Sequence, residues 1–236
     1  MRLVPICGIV ALALTTWACA EVRSGQVASS VERSAARDLV DQLGAITAQP
    51  SAASQLLQAV GTEPILTLAL PPGTPLMPLA SPATDATTTT ARVLTDCTIT
   101  TGTSTTYDEC EVADHVVDGM WSAQGKHIHS KLVDVFFAGP EEHGSVGLDA
   151  NLTRRGDFLG MRSGALSGSL DLGIMWTADS SDYFLDAAVR VDNLTIEGPH
   201  CATSGTVSIT AKLGDTALGT TTLWFGPGCQ DVQISR

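Results

Sequence analysis

His127 and His129 lie two residues apart, and on a β-strand that spacing points both imidazoles to one side. Two imidazoles so placed can ligate a metal when a third ligand, His115 or Asp149, converges on them. The plainer expectation is that both face solvent, because Ile128 and Leu132 occupy the other face of the same run. Glu141-Glu142-His143 sets acids beside an imidazole, but Pro140 and Gly144 bound it, which favours a solvated loop. Asp179-Ser180-Ser181-Asp182 is rich in the oxygen donors that calcium takes. The spacing and the glycine of the calcium-binding hand loop are missing there, so a tight turn is expected. The sequence holds no nucleophile elbow, phosphate-cradling loop, dinucleotide fingerprint or paired-histidine zinc motif. Trp121, Trp176 and Trp224 read as packing residues rather than a sugar platform. These residues point to a non-catalytic protein with no cofactor.

The cysteines carry more. Met1-Arg2 is a short basic lead, and Leu3 to Leu14 is an apolar run broken only by Pro5 and Gly8. That run is too short to span a bilayer, which takes about 20 apolar residues, so it reads as an export signal. Ala18-Cys19-Ala20 offers a cut before Glu21. Thr16-Trp17-Ala18-Cys19 also resembles the lipobox of bacterial exported lipoproteins, although Thr16 stands where leucine is common and Trp17 is bulky. The resemblance covers only the signal segment, 1–19, and implies lipid on Cys19. Ala20, in place of aspartate, then implies the outer membrane. Setting aside Cys7 and Cys19 leaves Cys97, Cys110, Cys201 and Cys229, an even number in an exported chain. Four cysteines allow three disulfide connectivities. With no C-x-x-C spacing, zinc is not expected.

The elements that must position those cysteines are strands. Leu166, Gly168, Leu170, Leu172, Ile174 and Trp176 alternate with polar or small residues, and so do Val207, Ile209, Ala211 and Leu213. Leu185, Ala187, Val189 and Val191 keep one phase and Leu194 and Ile196 the other, so a β-bulge is expected at Asp192-Asn193. A hairpin over 206–225 with the loop Gly214-Asp215-Thr216 opposes Val207 to Leu223 and Cys201 to Cys229. A two-residue Gly214-Asp215 turn is the commoner chemistry but misses the cysteine pair by one rung. The longer loop is therefore expected, with a Cys201–Cys229 bond. Cys97 and Cys110 flank Thr-rich strands about Thr103-Ser104 and predict a second staple. Val146 to Leu152 adds a further strand, and His127 to Phe137 reads as a long one with Val133, Val135 and Phe137 on one face, nine or ten strands in all by pattern reading. So many antiparallel strands fold as a β-sandwich or a curved half-barrel.

Ahead of the sheet, Val27, Val31, Ala35, Leu39, Leu43 and Ile46 predict an amphipathic helix, and Ser51 caps a second one holding Leu56, Leu57 and Val60. Ile65 to Leu70 reads as a strand or a docking hook. Prolines at 71, 72, 75, 78 and 82 exclude regular structure in the stretch that follows. The chain is thus expected to divide into a signal (1–19), a helical segment (20–62), a Pro/Thr-rich linker (63–91) and a stapled β-domain (92–236).

A net charge of −12 excludes nucleic-acid binding through phosphate neutralisation, and leaves membrane contact to the lipid alone. The expected protein is a non-catalytic cell-envelope module, outer-membrane-anchored, periplasmic or secreted, whose partner is an envelope protein or polymer. The alternative is a carrier that holds a hydrophobic ligand in a curved half-barrel beneath the 27–46 helix.

Overall fold

The computed structural model describes residues 25–48, 63–70, 97–112, 115–137, 143–157, 163–178, 181–198, 201–229 and 231–236. The signal, the Ser51 helix and the proline-rich stretch lie outside the described residues. The protein is one eleven-stranded antiparallel sheet. Its strands are β1 (Gln26–Val27), β2 (Thr98–Thr101), β3 (Ser104–Val112), β4 (His115–Gln124), β5 (His127–Phe137) and β6 (His143–Asp157). They continue with β7 (Ser163–Ala178), β8 (Ser181–Ile196), β9 (Ala202–Leu213), β10 (Thr216–Phe225) and β11 (Val232–Ser235). From β2 to β11 each strand pairs with the next, and β1 adds to the free side of β11. β1 and β2 are the two edges and do not meet, so the sheet is open. Of the two architectures expected, a single curved sheet is the one found.

Period-2 alternation gives that sheet one dry and one wet face. On β5, Ile128, Ser130, Leu132 and Asp134 are buried while His127, His129, Lys131 and Val133 are exposed. The dry side continues through Val146, Leu148, Ala150 and Leu152 on β6 to Val207, Ile209 and Ala211 on β9. Helices α1 (Ser30–Ala48) and α2 (Glu63–Ala69) join this face in one core. They pack on each other, and α2 also meets β9 and β10. Helix and sheet therefore share one hydrophobic unit.

Three local expectations change. Residues 63–69, read as the start of a linker, are helix, with Pro64 in the first turn where a missing N–H does no harm. The stripe of α1 starts later than expected. Val27 belongs to the edge strand and Val31 is 65% exposed, whereas Ala35, Ala36, Leu39, Val40, Leu43 and Ile46 are buried. Ser29 fixes that start, because Glu32 N–H donates to its Oγ at 3.3 Å and its own N–H donates to Glu32 Oε2 at 2.7 Å. This reciprocal pair is a capping box.

The β9–β10 hairpin keeps the expected register by another route. Its turn is the two-residue Gly214-Asp215, with Leu213 opposite Thr216. A bulge between Ala217 and Gly219 then inserts the extra residue, so that Val207 still opposes Leu223. Gly219 sits there at φ 97°, a conformation glycine adopts freely. The bulge at Asp192-Asn193 is also present, with Asn193 at φ 47°. Cys201 and Cys229 are bonded, their Cα atoms 4.5 Å apart. Cys97 and Cys110 are bonded at a Cα separation of 5.3 Å, after Glu109 (φ 45°) bulges β3 between Tyr107 and Cys110. Two disulfides in one chain place it in an oxidising, non-cytoplasmic compartment. Among the described residues no helix is long and apolar enough to cross a membrane.

Candidate functional site

The paired candidate metal ligands, His127 and His129, are on the wet face. His127 and His129 are exposed on β5, and His127 Nδ1 lies 3.2 Å from Thr153 Oγ1 on β6. His115 pairs with Phe136 at the far end of β5, so the strand pairing separates it from both. Asp149 lies opposite Lys131 and is not drawn to the imidazoles. Among the described residues no three His, Cys, Asp or Glu side chains converge as metal ligands. Glu141 and Glu142 lie outside the described residues. His143 opens β6 with Nε2 3.5 Å from Thr177 Oγ1, whose proton goes instead to Asp182 Oδ1 at 2.7 Å. Asp179 and Ser180 lie outside the described residues, and Asp182 is used in this surface bond.

The three tryptophans differ. Trp121 is buried on the dry face and donates Nε1–H to the Ile46 carbonyl at 2.9 Å. Trp224 is half-buried near the β1–β11 edge, beside Val27 and Arg33. Of the Trp176 side chain nothing is described. Arg154 on β6 donates to the Thr47 carbonyl. Trp121 and Arg154 thereby satisfy two of the carbonyls that every helix C-terminus leaves open, and they hold the last turn of α1 against the sheet.

The concave feature that sequence reasoning missed is on the wet face, across the middle strands. Gly147 on β6 is the direct partner of Gly173 on β7. Val133 lies opposite Gly147, and Asp186 lies opposite Gly173. One rung along, Lys131, Asp149, Asp171 and Ala188 follow in the same order. The two glycines leave a dent of about 400 Å³, walled by those side chains and floored by backbone. Asp149 and Asp171 are direct cross-strand partners, an arrangement that like charges disfavour. None of Asp149, Asp171, Asp186 and Lys131 makes a hydrogen bond or ion pair among the described residues. The signal for this dent was in the sequence: two wet-face glycines in strands that pair. Only the register brings them together.

No known family model, curated protein or solved structure matches the chain.

Proposed function

We propose that the chain is a non-catalytic binding module of the bacterial envelope, exported and tethered through lipid on Cys19, which presents the solvent face of its sheet to a partner. The disulfides support export, and the lipobox-like Thr16-Trp17-Ala18-Cys19 supports the tether. The observation that carries the reading is the contrast between the two faces. On the dry face Leu132, Leu148, Leu170 and Leu172 are at most 3% exposed, so the middle of that side is covered. On the wet face a concavity stays open at the middle of the sheet.

A second reading, a carrier of an apolar ligand, is favoured by one feature: an open antiparallel sheet whose apolar face lies under helices. The two readings separate in one experiment. Protein purified from its own host is weighed under native and then denaturing conditions, and its hydrogen exchange is compared with and without a host envelope fraction. The binding module is expected to carry no releasable small ligand and to gain protection on wet-face strands. A bound mass of several hundred daltons released on denaturation, with protection on α1, would overturn the module in favour of the carrier. The denatured mass also shows whether Cys19 bears lipid.

A further inference from the structure

Gly147 and Gly173 are glycines without a backbone reason to be glycine. Neither has a positive φ. A Cβ added at Gly147 would have only Gly173 O near it, at 3.9 Å, and one at Gly173 only Asp186 Oδ1, at 3.7 Å. Both are ordinary contacts, so a Cβ fits at either position. Other glycines of the sheet are different: a Cβ at Gly119, Gly168 or Gly205 would strike a backbone oxygen at 2.1, 2.2 or 2.5 Å. Those three are required by close backbone approach. The Gly147–Gly173 pair instead gives up the cross-strand side-chain contact that normally stabilises neighbouring strands. Glycine inside a strand weakens it and often marks a place where a ligand or another backbone comes close.

What would come close is set by the walls. Three exposed carboxylates, Asp149, Asp171 and Asp186, stand with Lys131 around an uncharged floor, and Lys212 on β9 lies opposite Asp186 just outside it. None of the three carboxylates is held in an ion pair or hydrogen bond among the described residues. A ligand suited to that shape has an aliphatic stem to lie on the glycine floor and a cation to reach the carboxylates. Lysine and arginine side chains have that form. The apolar surface also runs past the dent. Val133 is 42% and Phe184 48% exposed on the same face, and Phe184 lies two residues along β8 from Asp186. A free amine would leave that flank uncovered, whereas a polypeptide would cover it.

We infer that the glycine-floored dent at Gly147 and Gly173 is a docking site for a basic, partly apolar segment of a partner protein, one of whose lysine or arginine side chains enters it. The inference rests on the binding-module reading and deepens it.

The test is an NMR titration of the full, oxidised protein with a capped peptide of alternating lysine and valine. Controls are the same peptide with glutamate for lysine, and 1,5-diaminopentane as the small amine. Expected are saturable amide shifts confined to residues 131–133, 147–149, 171–173 and 184–188, absent with the glutamate peptide and weakened severalfold as salt rises from 50 to 500 mM. Gly147→Val is expected to abolish them without lowering the melting temperature. Gly147→Ala, a smaller filler, is expected to weaken binding at least fivefold, and Asp171→Asn severalfold. Shifts spread over the whole acidic surface, or unchanged in Gly147→Val, would overturn the site. Equal, glycine-dependent shifts with diaminopentane would make it a small-amine pocket and overturn the protein partner. If the dent takes neither probe while envelope material protects another part of the wet face, this site fails and the binding-module reading stands.

Discussion

Glu32 shows how a single side chain ties the two ends of the chain together. Its carboxylate accepts from Ser29 N–H at the start of α1 and pairs with Arg236 at 3.0 Å. Burial works to raise its pKa, but the Ser29 hydrogen bonds and the Arg236 guanidinium outweigh it and hold the carboxyl below the usual carboxylate range. A lowered folded-state pKa means that the unfolded chain binds the proton first as the solution is acidified. Its stabilisation is therefore full above the ordinary carboxylate value of about 4.3 and is lost as pH falls through the lower folded value. Glu32→Gln should destabilise by about 0.5–1 kcal/mol at pH 7, the usual worth of a cap plus a solvent-screened ion pair. Denaturant titrations at pH 7 and pH 3 should show the gap between wild type and variant closing at the acid end. A gap of the same size at both pH values would show that the carboxylate's charge is not what matters. Half of this device is legible in the sequence, since Ser29 and Glu32 have capping-box spacing. Arg236 is not, because no local spacing rule joins residues at opposite ends of a chain.

At the scale of elements, α1 is held at both ends by different means: the capping box at its start, Trp121 and Arg154 at its finish. The finish matters more for the packing of helix on sheet, because those donors come from β4 and β6. Trp121→Phe retains most of the buried ring but leaves the Ile46 carbonyl without its donor. A buried acceptor left unmet costs about 1–3 kcal/mol, and the loss should localise. Hydrogen exchange is expected to quicken in residues 43–48 while amides of β6 and β7 keep their rates. Uniform quickening across the sheet would mean that the tryptophan acts as core filling and not as a latch. Strand periodicity was the legible part of the elements, because a half-buried strand writes its two faces directly into alternate residues. The helix phase was misread at Val27 and Val31, whose apolar character fits the stripe although the chain there is edge strand and first turn. The β9–β10 hairpin was misread in its turn and correctly in its register. The cysteine pair constrains the sum of turn and bulge, and it cannot say how one extra residue is divided between them.

For the whole molecule, an open sheet has two edges to protect, and the disulfides lie near both. Cys97–Cys110 ties the entry of β2 to β3, where β2 is one outer strand. Cys201–Cys229 ties the entry of β9 to the turn between β10 and β11, next to the other edge. Their positions were legible because strand register and cysteine spacing agree, whereas the wet-face dent was not, since its two glycines lie in separate strands and only the register joins them. It exists because two small residues from separate strands fall on one rung. The edge staples make an ordered expectation for unfolding. Each bond should contribute about 3–4 kcal/mol by restricting the unfolded chain, and each should also hold its own edge against fraying. The Cys201→Ala, Cys229→Ala double variant is expected to lose about that much stability and to expose β11 and β1 to exchange and proteolysis before the centre. Replacing Cys97 and Cys110 instead should free β2 and leave β11 protected. β11 amides as protected in the first double variant as in wild type would show that the register of β9 and β10 holds that edge alone. The bond would then act only through the unfolded chain, a separation that global denaturation by itself does not make.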